Sequence, residues 1–337
     1  MADLPSLLDR AHADVQAGRP ATRVSLSGVG VSGIERVVQL SAGDGAAQPV
    51  PTTFECSVEL VADQRGAHMS RFAEAVAAAA REAAVAGTFG PETLAAHVAE
   101  GIRARQGAGS AEVRVAARYP DERHAPASHL PTQEMFTLLG AARASERGTR
   151  RLAGVEAQGI TACPCAQDLV AARARERLES DGFSPEEIER ILDRVPVATH
   201  NQRGVGTLWI GAPGDGAAVG GTELLEIVRS SMSAEIYGLM KRPDEVEVVE
   251  RAHRRPRFVE DCVREMVRSS LERFSGLGEH GFLLAVQRNL ETIHLHDVTA
   301  ERRGLIGALG REVTGGDQAP HVSMAVWLEG SDGAHGA

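Results

Sequence analysis

The residues of this chain best equipped for metal chemistry are two cysteines separated by one proline, Cys163-Pro164-Cys165, and a later histidine, His200. A thiolate with an imidazole suits Zn(II) or Fe(II), and the ring of Pro164 stiffens the turn that presents the sulfur. A structural zinc site closes its fourth position with protein, whereas three protein ligands leave a position open, the layout of a catalytic centre. Of the four cysteines, Cys56, Cys163, Cys165 and Cys262, any that is buried could be a small apolar filler. Cys163 and Cys165 stand too close for an ordinary disulfide and lie among polar, turn-forming residues, which points to a metal ligand or a nucleophile.

A second candidate is an anion site. Thr53 to Val61 alternates Phe54, Cys56, Val58 and Leu60 against polar neighbours, as a half-buried strand does. It leads into a loop carrying Arg65, His68 and Arg71, with Ser70 as N-cap of an Ala-rich helix to about Ala86. Free amides and the helix dipole at such a start face an anion together with those side chains; the plainer alternative is a solvated, capped helix start.

The remaining elements position these residues. Arg23–Ser27 and Glu35–Leu40 read as strands joined by Gly28-Val29-Gly30-Val31-Ser32-Gly33. That stretch matches the letters of a dinucleotide fingerprint, but β-branched residues follow where the fingerprint needs a helix. A helix runs from Pro91 to about Arg105, Ala111–Tyr119 and Glu134–Arg147 read as a hairpin, and Thr149–Thr161 leads into the cysteine turn. Between Cys165 and His200 lies an inserted helical pair (residues 166–196), its second helix opened by the capping box Ser184-Pro185-Glu186-Glu187. Strand Gly206–Gly211 follows, then amphipathic helices over Thr222–Met240 and Arg257–Phe274, then a closing hairpin of Phe282–Val286 and Glu291–His296. The expected class is α+β, two ββαα-like halves around an antiparallel sheet, with an arm at residues 1–20 and a strand or tail at 316–337.

Composition limits the partners. A formal net charge of −10 over 337 residues argues against nucleic acid, whose binders are basic. No run of apolar residues long enough to span a membrane and no charged-then-apolar leader at Met1 are present, and cysteines are few, so the expected compartment is the cytoplasm.

Six stretches in order then resemble one family. They are Arg65-Gly66-x-His68-Met69-Ser70-Arg71, Thr161-Ala162-Cys163-Pro164-Cys165-Ala166-Gln167, Thr199-His200-Asn201-Gln202-Arg203, Tyr237-Gly238-Leu239-Met240-Lys241-Arg242, Phe258-Val259-Glu260-Asp261 and Glu291-x-x-His294-x-His296. Together they are similar to the type IB GTP cyclohydrolases. The Cys-to-His insertion and the wording of the cysteine motif are nearest the archaeal, Fe(II)-dependent MptA branch. Asp297-Val298-Thr299-Ala300 departs from the family, where a small or aromatic residue is more usual.

The resemblance implies a tunnelling fold (T-fold), antiparallel sheets closing an oligomeric barrel with helices outside, and a homotetramer, a dimer of dimers, with interfacial active sites. It implies one divalent metal per subunit, Fe(II), Zn(II) or Mn(II), on Cys163, His200 and Glu245. It assigns Glu260 to the guanine edge, makes His294 and His296 phosphate donors or acids, and gives Arg65, His68, Arg71, Arg203, Lys241 and Arg242 to the substrate, GTP. The implied reaction opens the imidazole ring at carbon 8 and releases formate, leaving 7,8-dihydroneopterin triphosphate or its 2′,3′-cyclic phosphate for pterin or folate synthesis. A T-fold purine or pterin binder without full turnover is the alternative.

Overall fold

The structure, a computed structural model, describes residues 14–43, 46–86, 89–213 and 219–330. Chain contacts divide it into two compact units, one of residues 1–41, 46–116 and 140–151, the other of 42–45, 117–139 and 152–337. The strands and helices are β1 (Leu26–Leu40), β2 (Gln48–Leu60), α1 (Met69–Ala86), α2 (Pro91–Gln106), β3 (Ser110–His124), β4 (Pro131–Ser145) and β5 (Gly148–Ala162). There follow α3 (Pro164–Ser180), α4 (Pro185–Arg194), β6 (Asn201–Ala212), α5 (Gly221–Ser230), β7 (Ala234–Glu235), α6 (Arg242–Arg254) and α7 (Val259–Arg273). The chain closes with β8 (Phe282–Leu290), β9 (Val298–Leu305), α8 (Ile306–Val313) and α9 (Met324–Leu328).

In the first unit β1 pairs antiparallel with β2, Ile34 opposite Phe54 and Leu40 opposite Gln48. The period-two reading of β2 holds: Phe54, Cys56, Val58 and Leu60 are all buried. Their core partners are apolar stripes of α1 (Phe72, Ala75, Val76, Ala79) and α2 (Leu94, Val98, Ile102). In the second unit β6 pairs with β8 from Arg203–Leu290 to Gly211–Phe282, β8 pairs with β9, and the short β7 pairs with β5. Leu208 and Ile210 of β6, Leu224 and Val228 of α5, and Cys262 and Met266 of α7 are buried in that unit's core. Among the described residues no helix is long and apolar enough to cross a membrane.

Several expectations need correction. The two strands read across Gly28–Gly33 are one, β1, whose register shifts between Val31 and Ile34, with Gly33 at φ +73°. A dinucleotide loop is excluded there, and a Cβ at Gly30 would stand 1.8 Å from the Cys56 carbonyl, so glycine answers to strand packing. α1 begins at Met69, which puts Ser70 inside the first turn rather than at the cap.

The helix expected over Thr222–Met240 stops at Ser230. Ser231 and Ser233, both fully buried, take over the backbone groups: the Ser231 hydroxyl donates to the Ile227 carbonyl (2.6 Å), and the Ala162 amide donates to the Ser233 hydroxyl (3.1 Å). Glu291–His296 is not a strand but the connection between β8 and β9. Only the first ββαα group matches the expected pair of halves; later strands and helices interleave. The arm at 1–20 lies mostly outside the described residues, and the 316–337 segment contains α9.

Candidate functional site

Cys163 sits where β5 ends and α3 begins, as the residue capping that helix, with Pro164 at the first helical position. Its amide donates to the His200 carbonyl (3.1 Å), and the Thr199 hydroxyl donates to the Cys163 carbonyl (2.7 Å). The chain between them, α3 and α4, therefore leaves and returns to one point. Gln167 of the cysteine motif ties the base of this excursion, donating from Nε2 to the carbonyls of Val197 (2.9 Å) and His253 (2.6 Å). The capping box that opens α4 is present as expected, with the Ser184 amide donating to Glu187 (2.9 Å) and the Glu187 amide to the Ser184 hydroxyl (3.3 Å).

His200 enters β6 with its ring largely covered. Its Nδ1 lies 3.1 Å from Gln202 Oε1 and 3.7 Å from Glu291 Oε2, and the Gln202 Nε2 donates to the Thr161 hydroxyl at 3.1 Å. His294 meets the His200 ring edge-on with centroids 6.3 Å apart, and His296 stacks on His294 at 5.3 Å. Cys163, His200, Glu260, Glu291, His294 and His296 line one cavity of about 240 Å³, with Gln202, Arg257 and Asn289 also in its walls. Glu260 reaches it from the first turn of α7.

The donor types in this cavity, a cysteine sulfur and an imidazole, suit a borderline divalent metal. Among the described residues, however, no group of three or more His, Cys, Asp or Glu side chains is disposed to hold a metal ion. Glu245 stands exposed in the first turn of α6 and is not part of the cavity wall. Cys165 is exposed. Burial pushes the thiols of Cys56 and Cys262 up to about 12, so these two are inert fillers.

The remaining expected residues are distributed more widely. Arg203 lies on β6 and donates to Gln158 Oε1 (3.1 Å). Lys241 and Arg242 open α6, where the Lys241 amide donates to Asp244 Oδ2 (2.7 Å). Arg65, His68 and Arg71 belong to the first unit. There the Gln106 amide brackets the His68 backbone (3.2 and 2.8 Å), His68 Nε2 lies 3.3 Å from Asp14, and Arg71 donates to the Arg105 carbonyl (2.9 Å).

Comparison with known proteins places the chain. Residues 13–300 match the type I GTP cyclohydrolase folE2 family. The chain belongs to that family. It is 38% identical over 306 residues to a protein named GTP cyclohydrolase MptA from Methanococcus aeolicus, covering 89% of this chain and 99% of that one. The protein of the same name from Methanocaldococcus jannaschii is 37% identical over 305 residues, covering 89% of this chain and 97% of the other. Among solved structures, uricase from Arthrobacter globiformis superposes with TM-score 0.49 at 9% identity, covering 84% of this chain and 95% of that chain. A uricase from Bacillus fastidious gives 0.45 at 11% identity, covering 89% and 99%.

Sequence reasoning named Gln202 and Glu291 only as letters of motifs and passed over Arg257 and Asn289. A signal for Asn289 was available. Gln287 and Asn289 are amides on the inward face of a strand whose other inward residues are apolar, and both are buried, with Gln287 Nε2 donating to Asn289 Oδ1 (3.1 Å). A buried amide on an apolar face needs a partner, which marks it as specific. Arg257 carried no such signal, because its role depends on a fold-level contact: its amide donates to the Ala162 carbonyl (2.9 Å) and its guanidinium to the Ser231 carbonyl (2.7 Å).

Proposed function

We propose that this chain is a metal-dependent GTP cyclohydrolase that opens the guanine imidazole ring at carbon 8 and releases formate. The observation that carries the reading is the single cavity in which Cys163, His200, Glu260, His294 and His296 meet, in a chain of this family. Cys163 and His200 would hold Fe(II), Zn(II) or Mn(II), with Glu245 as third ligand. Such a metal, when bound, brings the pKa of a coordinated water from 15.7 toward about 7.

The chain's own residues do the rest. The Glu260 carboxylate accepts from the ring and amino nitrogens of guanine, which fixes the base by two charge-assisted hydrogen bonds. His294 and His296, stacked at the cavity rim, hold protons for the leaving groups or donate to phosphate. Arg65, His68, Arg71, Arg203, Lys241 and Arg242 are the positive charge assigned to the triphosphate. A cytoplasmic homotetramer with active sites between subunits completes the reading, and gives the exposed Glu245 of α6 a route to a Cys163–His200 pair. Type IB here means a 7,8-dihydroneopterin phosphate as product, either the triphosphate or the 2′,3′-cyclic phosphate after loss of pyrophosphate.

The test is anaerobic incubation with GTP and each of the three metals, measuring formate and the mass of the pterin formed. Formate with any of them supports the reading, and its absence with all three sinks it. A purine- or pterin-binding relative without full turnover is the second reading, favoured by the lack of a three-donor cluster among the described residues. Tight GTP binding with no formate would select it.

A further inference from the structure

We propose that Gln202 is a positioning residue that locks His200 in the tautomer carrying its proton on Nδ1, leaving the Nε2 lone pair for a metal. The inference rests on the metal reading of the cavity but concerns a residue to which that reading gives no role. Gln202 is buried, 5% exposed, and spans the 0%-exposed Thr161 hydroxyl and the His200 ring.

An amide can be turned about its last bond, and a hydroxyl can donate or accept, so the Thr161–Gln202 contact alone allows either orientation. Turned one way, Oε1 faces Nδ1 and Nδ1 must carry the proton; turned the other, NH2 faces Nδ1 and the proton sits on Nε2. Glu291 breaks the tie. Its Oε2 lies 3.7 Å from the same Nδ1, its side chain is 6% exposed, and a carboxylate in that position attracts an N–H and repels a lone pair. Gln202 Oε1 and Glu291 Oε2 thus converge on one ring nitrogen, and the other is left as a base. Acceptors behind a ligating imidazole set its orientation and raise its basicity, and losing one costs roughly 10- to 100-fold in metal affinity.

Three measurements test this. Long-range 15N–1H correlation on the metal-free, full-length protein, with the His200 signal assigned through His200→Asn, should show the proton on Nδ1; a proton on Nε2 overturns the proposal without any substitution. Titration with Co(II) alone, read by thiolate-to-metal absorption, should weaken about 10- to 100-fold in Gln202→Leu. Gln202→Glu, which keeps an acceptor, should restore most of the affinity. Equal affinity in Gln202→Leu and the unsubstituted protein, or equal loss in both variants, overturns it. Formate release is recorded separately: an Nδ1 proton and tight Co(II) binding with no formate removes the cyclohydrolase reading and leaves this assignment standing.

Discussion

Two consecutive helices of the second unit, α6 and α7, both open with acidic residues, and Asp244 of the first and Glu260 of the second are used in opposite ways. Asp244 at the start of α6 is buried and accepts four hydrogen bonds, from the amides of Ala127, Ser128 and Lys241 and from the Ser128 hydroxyl. Glu260 at the start of α7 is exposed on the cavity wall, and among the described residues no hydrogen bond or ion pair holds it. A carboxylate whose lone pairs are all engaged by the fold has none to offer a substrate; one left unengaged beside a cavity does. Satisfaction, more than charge, separates the structural acid from the candidate for chemistry.

The comparison can be broken most decisively at the thiol that shares Glu260's cavity. Cys163→Ala should lower turnover beyond the roughly 10- to 100-fold that losing a supporting residue costs, together with metal content by elemental analysis. Cys165→Ala, on the exposed neighbour, should leave both close to normal. Equal loss in the two variants would reassign the ligand.

Next in size, Glu260→Gln should reduce kcat/KM for GTP by about 5- to 150-fold, the equivalent of roughly 1–3 kcal/mol for an unpaired guanine donor. The melting temperature and metal content should stay unchanged. Asp244→Asn should do the reverse, lowering the melting temperature while turnover per folded molecule persists. Burial opposes the charge of Asp244, but the amides of Ser128, Lys241 and Ala127 and the Ser128 hydroxyl outweigh it and hold the carboxyl far below the usual range. A folded pKa below the unfolded one means stability present above the ordinary carboxylate range and lost as pH falls below it. As pH falls below the ordinary carboxylate range the unsubstituted protein should therefore lose more of its neutral-pH stability than Asp244→Asn does, and the gap between their melting temperatures should narrow.

The smallest effect is expected in the first unit. Glu92, in the first turn of α2, is also buried, yet its Oε2 has no partner, and burial raises its pKa despite contacts to its own amide, Thr93 and Arg151. Its contribution runs the other way with pH, greatest when the group is protonated and falling as pH rises through its raised pKa. Glu92→Gln should raise the melting temperature slightly at neutral pH, read by calorimetry, and a fall would place Glu92 with Asp244 among the satisfied acids.

How much of this was legible in the sequence follows from which forces are local. Strand β2 and the capping box of α4 were readable because period and cap chemistry act within a few residues. The true end of α5 was not, because the apolar rhythm continues through Ile236 and Met240. Met240 packs instead around β7 and α6, where it and Tyr237 lie against Ala234, Val248 and Ala252. The Glu291–His296 stretch misled in a similar way: it alternates as a strand does, yet Ile293 and Leu295 are 63% and 109% exposed, and among the described residues no strand pairs with it. Cys163 and His200 were legible as chemistry; the contacts of Gln202 and Glu291 with the His200 ring needed the fold.

The closed excursion between Cys163 and His200 also bears on chain entropy. Helix α3 has no buried residue, so it adds little to either core, while the bond between the Cys163 amide and the His200 carbonyl fixes where the excursion begins and ends. Joining the ends of a flexible loop costs only about 0.6 kcal/mol more for each doubling of its length, and segments that coil locally into α3 and α4 shorten the distance that must be searched. A long insertion can thus separate two reactive side chains in sequence while leaving their meeting in space nearly as inexpensive as a short turn would.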